Sequence, residues 1–150
     1  MIAPRESALL QKILRRESRS LLQYAGDTFP WPTLDAGAAL TVLENLVASE
    51  RDAAAELARF LARQRQSLPW LGPYPQDFTT LNFVSLDNLL PRIIQSEQDD
   101  IAQLESDLAA LTSEDARAEV EKILAIKRRN LETLRQLRAK SEESRAPRAI

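Results

Sequence analysis

The stretch from Leu40 to Gln64 constrains the fold of this chain most, because its apolar residues follow the spacing of one helix face. They recur at steps of three, four and seven residues: Leu40, Leu43, Val47, Ala54, Leu57 and Leu61. This spacing predicts a long helix whose apolar face packs against a core. Glu50 lies within that face, between Val47 and Ala54. A carboxylate that faces a core is costly unless it is paired, hydrogen-bonded or bound to a metal.

The composition limits the partners of the chain. Its 150 residues are 44% hydrophobic and 28% charged, which is typical of one globular domain over residues 1–150. The net charge is −2 with both signs interspersed, so no patch for nucleic acid or for an anionic membrane is visible. No apolar run approaches the roughly 20 residues of a membrane span, and the N-terminus lacks the apolar core of a signal peptide. We therefore expect a cytoplasmic protein that binds neither nucleic acid nor membrane.

The residue types that are missing narrow the chemistry further. The chain has no cysteine and no histidine, which excludes disulfides, thiol chemistry, the usual general base and the commonest metal ligand. Its three glycines are too few for a glycine-rich phosphate loop. These exclusions favour a protein that is not an enzyme.

The apolar periodicity predicts four helices, over about residues 6–25, 34–66, 85–111 and 114–140, with the third starting near Ser85 or Asn88. Residues 141–150 are polar and include a proline, so we expect a flexible tail there and a core over residues 6–140.

Several residues are placed to start or end these helices. Gly26 is in position to cap the end of the first helix, and Thr33 or Asp35 the start of the second. Thr112 and Asp115 have the spacing of a capping box at the start of the fourth helix, with Asp in place of the usual Glu.

The segment from 67 to 85 contains three prolines and four aromatic residues, and it shows no helical period. It is long enough, when extended, to run beside the second helix and to return the chain to the other end of the molecule. The sequence therefore predicts an all-α fold, an antiparallel four-helix bundle with a long crossover between its second and third helices, which would be parallel.

Four aromatic residues in the predicted loops bear on association: Trp31, Trp70, Tyr74 and Phe78. A monomer has limited means of covering aromatic loop residues, and aromatic side chains are enriched at interfaces. We predict a homodimer or a higher homo-oligomer.

Polar residues interrupt the apolar face of each predicted helix near its midpoint: Glu17, Glu50, Glu97 with Asp100, and Lys127 with Asn130. The midpoints of bundle helices lie at about one level, so the four interruptions predict a single buried polar cluster.

This layout resembles the ferritin-like superfamily, which includes rubrerythrin and bacterioferritin, over about residues 6–140. The resemblance implies a pair of metal ions, usually iron, held by one Glu on each of two helices and by Glu-x-x-His on each of the other two. By this resemblance, Glu17 and Glu97 match the two single glutamates.

The two Glu-x-x-His motifs of the family are changed here. The second-helix motif keeps Glu50 but has Ala53 in place of His. The fourth-helix motif has Lys127 in place of Glu and Asn130 in place of His. A lysine ammonium offers only donors and repels metal cations, so Lys127 would take over the charge of the metal pair. We therefore expect a ferritin-like protein that has lost its di-iron site, has no catalytic residues and plays a structural or interaction role.

One alternative remains from the same residues. Glu17, Glu50, Glu97 and Asp100 would form a carboxylate-only site for a hard cation such as iron, manganese or magnesium, with the first three as its ligands in the simplest case. Tyr24, two turns beyond Glu17, would then be available for redox chemistry.

Overall fold

The computed structural model describes residues 2–28, 37–82 and 84–145. This part of the chain is helical and contains no strand, which confirms the predicted all-α class. Five α-helices and one 3₁₀ helix follow in chain order: α1 (Pro4–Ser18), α2 (Leu21–Thr28), α3 (Gly37–Arg63), the 3₁₀ helix (Gln76–Leu81), α4 (Leu86–Ala109) and α5 (Glu114–Arg145).

The prediction of one continuous helix over residues 6–25 is wrong, because the helix breaks between α1 and α2. Arg19 leaves the helical conformation, with φ −121° and ψ 28°. The Ser20 hydroxyl then accepts a hydrogen bond from the backbone N–H of Gln23 at 3.2 Å, which caps the start of α2. The spacing Ser-x-x-Gln is that of a capping box, a local signal for the start of a helix. A new helix starts here although the apolar period continues across the break.

The sequence predicted that Gly26 caps the end of the first helix. Gly26 instead lies inside α2. A Cβ atom at this position would come within 2.7 Å of Cγ1 of Val47 on α3. The absence of a side chain at Gly26 therefore lets α2 approach α3 closely.

The other helix ends differ from the predicted ones by a few residues. α3 ends at Arg63 rather than at 66, and α5 continues to Arg145, so residues 141–145 are helix and not part of a tail. The caps predicted at Thr33 and Asp35, and residues 146–150 of the predicted tail, lie outside the described residues.

The turn between α4 and α5 is capped by Ser113 rather than by Thr112. The backbone N–H of Ala116 donates to the Ser113 hydroxyl at 3.4 Å. The Thr112 hydroxyl instead donates to Oε1 of Glu6 at 3.1 Å, and the Ser113 N–H donates to the same oxygen at 2.9 Å. The backbone N–H of Thr112 donates to this oxygen as well. The two backbone hydrogen bonds hold the pKa of Glu6 below its usual range, so a first-turn carboxylate of α1 secures the α4–α5 turn.

Contacts near the helix ends give the helix directions. Ser7 at the start of α1 donates to Oε1 of Gln66, just beyond α3, at 2.8 Å. Ser141 near the end of α5 donates to Oδ1 of Asp87 at the start of α4. Together with the contact between α1 and the α4–α5 turn, these bonds make α1 antiparallel to both α3 and α4, and α4 antiparallel to α5.

The predicted apolar faces form the core. Most of their residues are buried, and the exceptions are partly buried and pack against the core: Leu9, Tyr24, Leu40, Leu108 and Leu137. In the described part of the chain, no helix combines the length and the apolar character needed to cross a membrane.

The segment between α3 and α4 packs against the helices only in part. The Tyr24 ring lies 5.2 Å from the Tyr74 ring and 5.5 Å from the Phe78 ring, measured between centroids. Tyr74 and Phe78 are thus partly buried within one chain. Trp70 remains 77% exposed, and Trp31 lies outside the described residues.

The close approach at Gly26 generates a prediction. Gly26→Ala should lower the free energy of unfolding by about 1–2 kcal/mol, because the new methyl group overlaps Val47 by more than the gain in helix propensity offsets. Urea unfolding measures the loss, and Val47→Ala in the same chain should reduce it. Gly37→Ala is the matched control, since no atom of the described residues lies within 4 Å of its Cβ position. Equal stability of the two alanine variants would contradict the close approach.

Candidate functional site

The polar interruptions of the four long helices meet at the side chain of Lys127, which is 0% exposed. Its Nζ atom lies 2.8 Å from Oε2 of Glu17 on α1 and 2.9 Å from Oε1 of Glu50 on α3. Two groups of α4 complete the contacts, with Oε1 of Glu97 at 3.1 Å and Oδ2 of Asp100 at 3.4 Å. We refer to these five residues with Asn130 as the Lys127 cluster.

Asn130 ties one carboxylate of the Lys127 cluster to the backbone of α3. Its Nδ2 donates to Oε2 of Glu50 at 2.8 Å and to the Ser49 hydroxyl at 3.0 Å. The Ser49 hydroxyl in turn donates to the carbonyl oxygen of Leu46 at 2.8 Å. Ala53 is buried one turn after Glu50 and supplies no polar side-chain atom to the site.

Two residues of the site were missed in the sequence, namely Ser49 and Arg16. Nε of Arg16 lies 3.3 Å from Oε1 of Glu17, and its NH2 atom lies 2.9 Å from Oδ2 of Asp107. Each of the two directly precedes a buried glutamate in the sequence and therefore lies off the apolar face. That adjacency is the one sequence signal that could have identified them as residues of the site.

The Lys127 cluster contains four acidic side chains and one basic side chain, and burial shifts the protonation of its acids. Burial raises the pKa of Glu97 well above its usual value; attraction to Lys127 opposes this shift, and repulsion from Glu50 adds to it. Burial also raises the pKa of Asp100, to about 6. Repulsion from Glu17 adds to this shift, and attraction to Lys127 opposes it. A protonated Glu97 can donate to Glu50, which lowers the negative charge of the cluster.

Lys127 itself remains charged. Burial disfavours its ammonium form, but the surrounding carboxylates outweigh burial and raise the pKa of Lys127 well above its usual value. A permanently charged ammonium has no free electron pair, so it is neither a nucleophile nor a base. Lys127 therefore supplies charge balance and hydrogen bonds to the cluster.

The residues of the Lys127 cluster do not fit the metal pair that the ferritin-like layout implies. The lysine ammonium lies among the carboxylate oxygens that would coordinate the metals, and it would repel a cation placed there. Among the described residues, no group of three or more acidic side chains is arranged to hold a metal ion.

Comparison with protein families, with characterised proteins and with solved structures found no match to this chain. Conclusions about its function therefore depend on the Lys127 cluster and on the surfaces around it.

The pKa of Asp100 gives a pH-dependent prediction. Its folded value of about 6 lies above the ordinary 3.8, so between these values the folded protein binds more protons than the unfolded chain. Asp100 therefore makes stability fall as pH rises from about 4 to 6, with a slope of up to about 1.4 kcal/mol per pH unit.

Asp100→Asn should remove this part of the slope, which urea unfolding of both proteins from pH 4 to 7 measures. The contribution of Glu6 is common to both proteins and cancels in the difference. Parallel stability curves for the two proteins would show that Asp100 does not titrate as described.

Removing the central cation should be much more costly. Lys127→Met leaves three buried carboxyl groups and the partly buried Asp100 without their shared partner, and we expect a loss of about 3–5 kcal/mol at pH 7. The loss should shrink towards pH 5, because protonated carboxyl groups need no cation.

Lys122→Met is the matched control for this variant. Lys122 is 57% exposed and lies 3.5 Å from Glu119, so its loss should cost less than about 1 kcal/mol. Denaturant unfolding of both variants makes the comparison, and equal losses would mean that the Lys127 cluster does not support the fold.

Proposed function

We propose that this chain is a ferritin-like four-helix bundle in which the Lys127 ammonium has replaced the metal pair, and that it acts as a structural or interaction protein rather than as an enzyme. One observation carries the proposal, namely a fully buried lysine Nζ within 3.4 Å of carboxylates from three other helices.

The bundle assignment has support from the packing. α1 and α2 together supply the first arm, and α3, α4 and α5 supply the others. The helix directions described above, and the long segment between α3 and α4, agree with a bundle whose middle connection crosses from end to end.

The changed ligand positions support the loss of metal chemistry. Lys127 and Asn130 occupy the positions of Glu and His in the fourth-helix motif, and both direct donors at Glu50, a former ligand position. Ala53 removes the histidine of the second-helix motif. Each change replaces a metal ligand with a donor or with an apolar group.

A carboxylate-only metal site is the second candidate, and the excess of acid in the Lys127 cluster favours it. Glu97 Oε2 and Asp100 Oδ2 are buried and accept no hydrogen bond from the described residues. A hard cation such as iron, manganese or magnesium would use such oxygens, provided that Lys127 moved away from them.

Restoring the family ligands separates the two candidates. The triple variant Lys127→Glu, Ala53→His and Asn130→His rebuilds both Glu-x-x-His motifs opposite Glu17 and Glu97. Ferrous iron or manganese should raise its melting temperature by mass action, while leaving the parent protein almost unchanged.

Metal analysis of the parent protein, purified without chelator, completes this test. Marked stabilisation of the parent by either metal, or a bound metal in near-stoichiometric amount, would favour the carboxylate site and overturn the proposal. Lys127→Glu alone should destabilise the metal-free protein, since it adds a fifth acid to the cluster and removes its cation.

Because we propose an interaction role, we also propose that the protein forms a homodimer in the cytoplasm, as predicted from its sequence. Trp70 is 77% exposed and Leu68 is 56% exposed, so the segment after α3 presents two large apolar side chains to solvent. Light scattering at high protein concentration should give twice the chain mass, and Trp70→Ser should shift the protein towards monomer. A monomer mass for the unaltered protein would exclude this association.

A further inference from the structure

A cavity of about 690 Å³ lies between α1, the segment after α3, and α4. Its volume is in the range of small-molecule sites in proteins. Four cationic side chains line it, three from α1 and one from the residue that follows α1: Lys12, Arg15, Arg16 and Arg19. Such a concentration of positive charge is unexpected on a chain whose net charge is −2.

Two of these cations are already positioned by the protein. Arg16 pairs with Glu17 and Asp107 as described above. Nε of Arg19 donates to the carbonyl oxygen of Gly72 at 2.7 Å, and its guanidinium lies 4.9 Å from the centre of the Tyr74 ring. The surrounding contacts thus hold both guanidinium groups at the cavity.

The other two cations have no partner in the described part of the chain. Lys12 and Arg15 are exposed, and neither forms an ion pair or a side-chain hydrogen bond there. Lysine and arginine side chains that line a cavity without ion pairs of their own are suited to phosphate, which arginine binds through two parallel hydrogen bonds.

A second part of the lining is apolar and comes from the segment between α3 and α4. It consists of one leucine, two prolines and two aromatic residues: Leu71, Pro73, Tyr74, Pro75 and Phe78. Flat apolar surfaces of this kind bury a planar ring. Ser96 and Asp100 of α4 also line the cavity, and they add a hydroxyl and a carboxyl group that can bond the polar edge of a ligand.

From these walls we infer that the cavity binds a small organic phosphate that carries a planar ring, of about the size of a nucleotide. The phosphates contact Lys12 and Arg15, and the ring lies against the proline and aromatic wall. This inference does not depend on the proposed loss of the metal site.

A second cavity, of about 490 Å³, lies on the other side of the Leu71–Tyr74 stretch and is a weaker candidate. Its exposed cation, Arg51, lies 3.3 Å from Oδ1 of Asp27, so an acid already neutralises it. Of these two cavities, the larger one combines unpaired cations with an apolar wall.

Calorimetric titration with ATP, in a magnesium-free buffer of low ionic strength, tests the inference. ATP should bind with a dissociation constant below about 1 mM, and added salt should weaken binding. Adenosine and pyrophosphate should each bind at least about 10-fold more weakly than ATP, because each lacks one half of the ligand. Equal affinity for pyrophosphate would overturn the role of the ring, and equal affinity for adenosine would overturn the role of the phosphates.

Matched variants locate the site. Lys12→Gln with Arg15→Gln should weaken ATP binding by at least about 10-fold, a loss of about 1.4 kcal/mol. Arg59→Gln with Arg63→Gln removes the same charge from the exposed face of α3 and should leave binding within about 2-fold, a difference of about 0.4 kcal/mol.

A third variant tests the space rather than the charge. Ser96→Trp should fill the cavity and weaken ATP binding at least as much as Lys12→Gln with Arg15→Gln does. Circular dichroism checks that the helix content and the melting temperature are unchanged. No binding by the unaltered protein, or equal losses in the two charge variants, would overturn the inference.

Discussion

The structure depends above all on the contact of one ammonium group with carboxylates from three other helices. Lys127 reaches Glu17, Glu50 and Glu97 at 2.8–3.1 Å, and these distances are possible only when the helices meet at one level. A shift of any helix by one turn would separate a buried charge from its partner. Such buried pairs add little net stability compared with apolar packing, but mispairing them is costly. The Lys127 cluster therefore selects one register among the many that leucine-rich faces would allow.

Other polar contacts act in the same direction at the ends of the molecule. Glu6 holds the α4–α5 turn through two backbone N–H groups, and Arg117 donates to the carbonyl oxygens of Leu108 and Leu111 at the end of α4. The apolar core provides the driving force for packing. The polar contacts determine how far each helix slides along its neighbours, so that the cavity beside α1 has defined walls.

Much of the site could be predicted from the sequence, because a polar residue within an apolar helical face must point inward. Glu50 and Lys127 were found this way. The break at Ser20 was missed since the apolar period continues from Leu14 to Leu21 across it, and Arg16 and Ser49 were missed since periodicity does not tell where an off-face side chain reaches. The basic cavity was beyond sequence reasoning because its second wall belongs to a segment without a period.

The position of Lys127 in the chain has a consequence for synthesis. Each of its four acidic partners precedes it, so the nascent chain contains the acids before it contains their cation. A compact state formed from α1, α3 and α4 alone would bury carboxylates that repel one another. The first three arms therefore lack the cation that balances their acids until α5 has left the ribosome, and α5 is the helix that allows them to close.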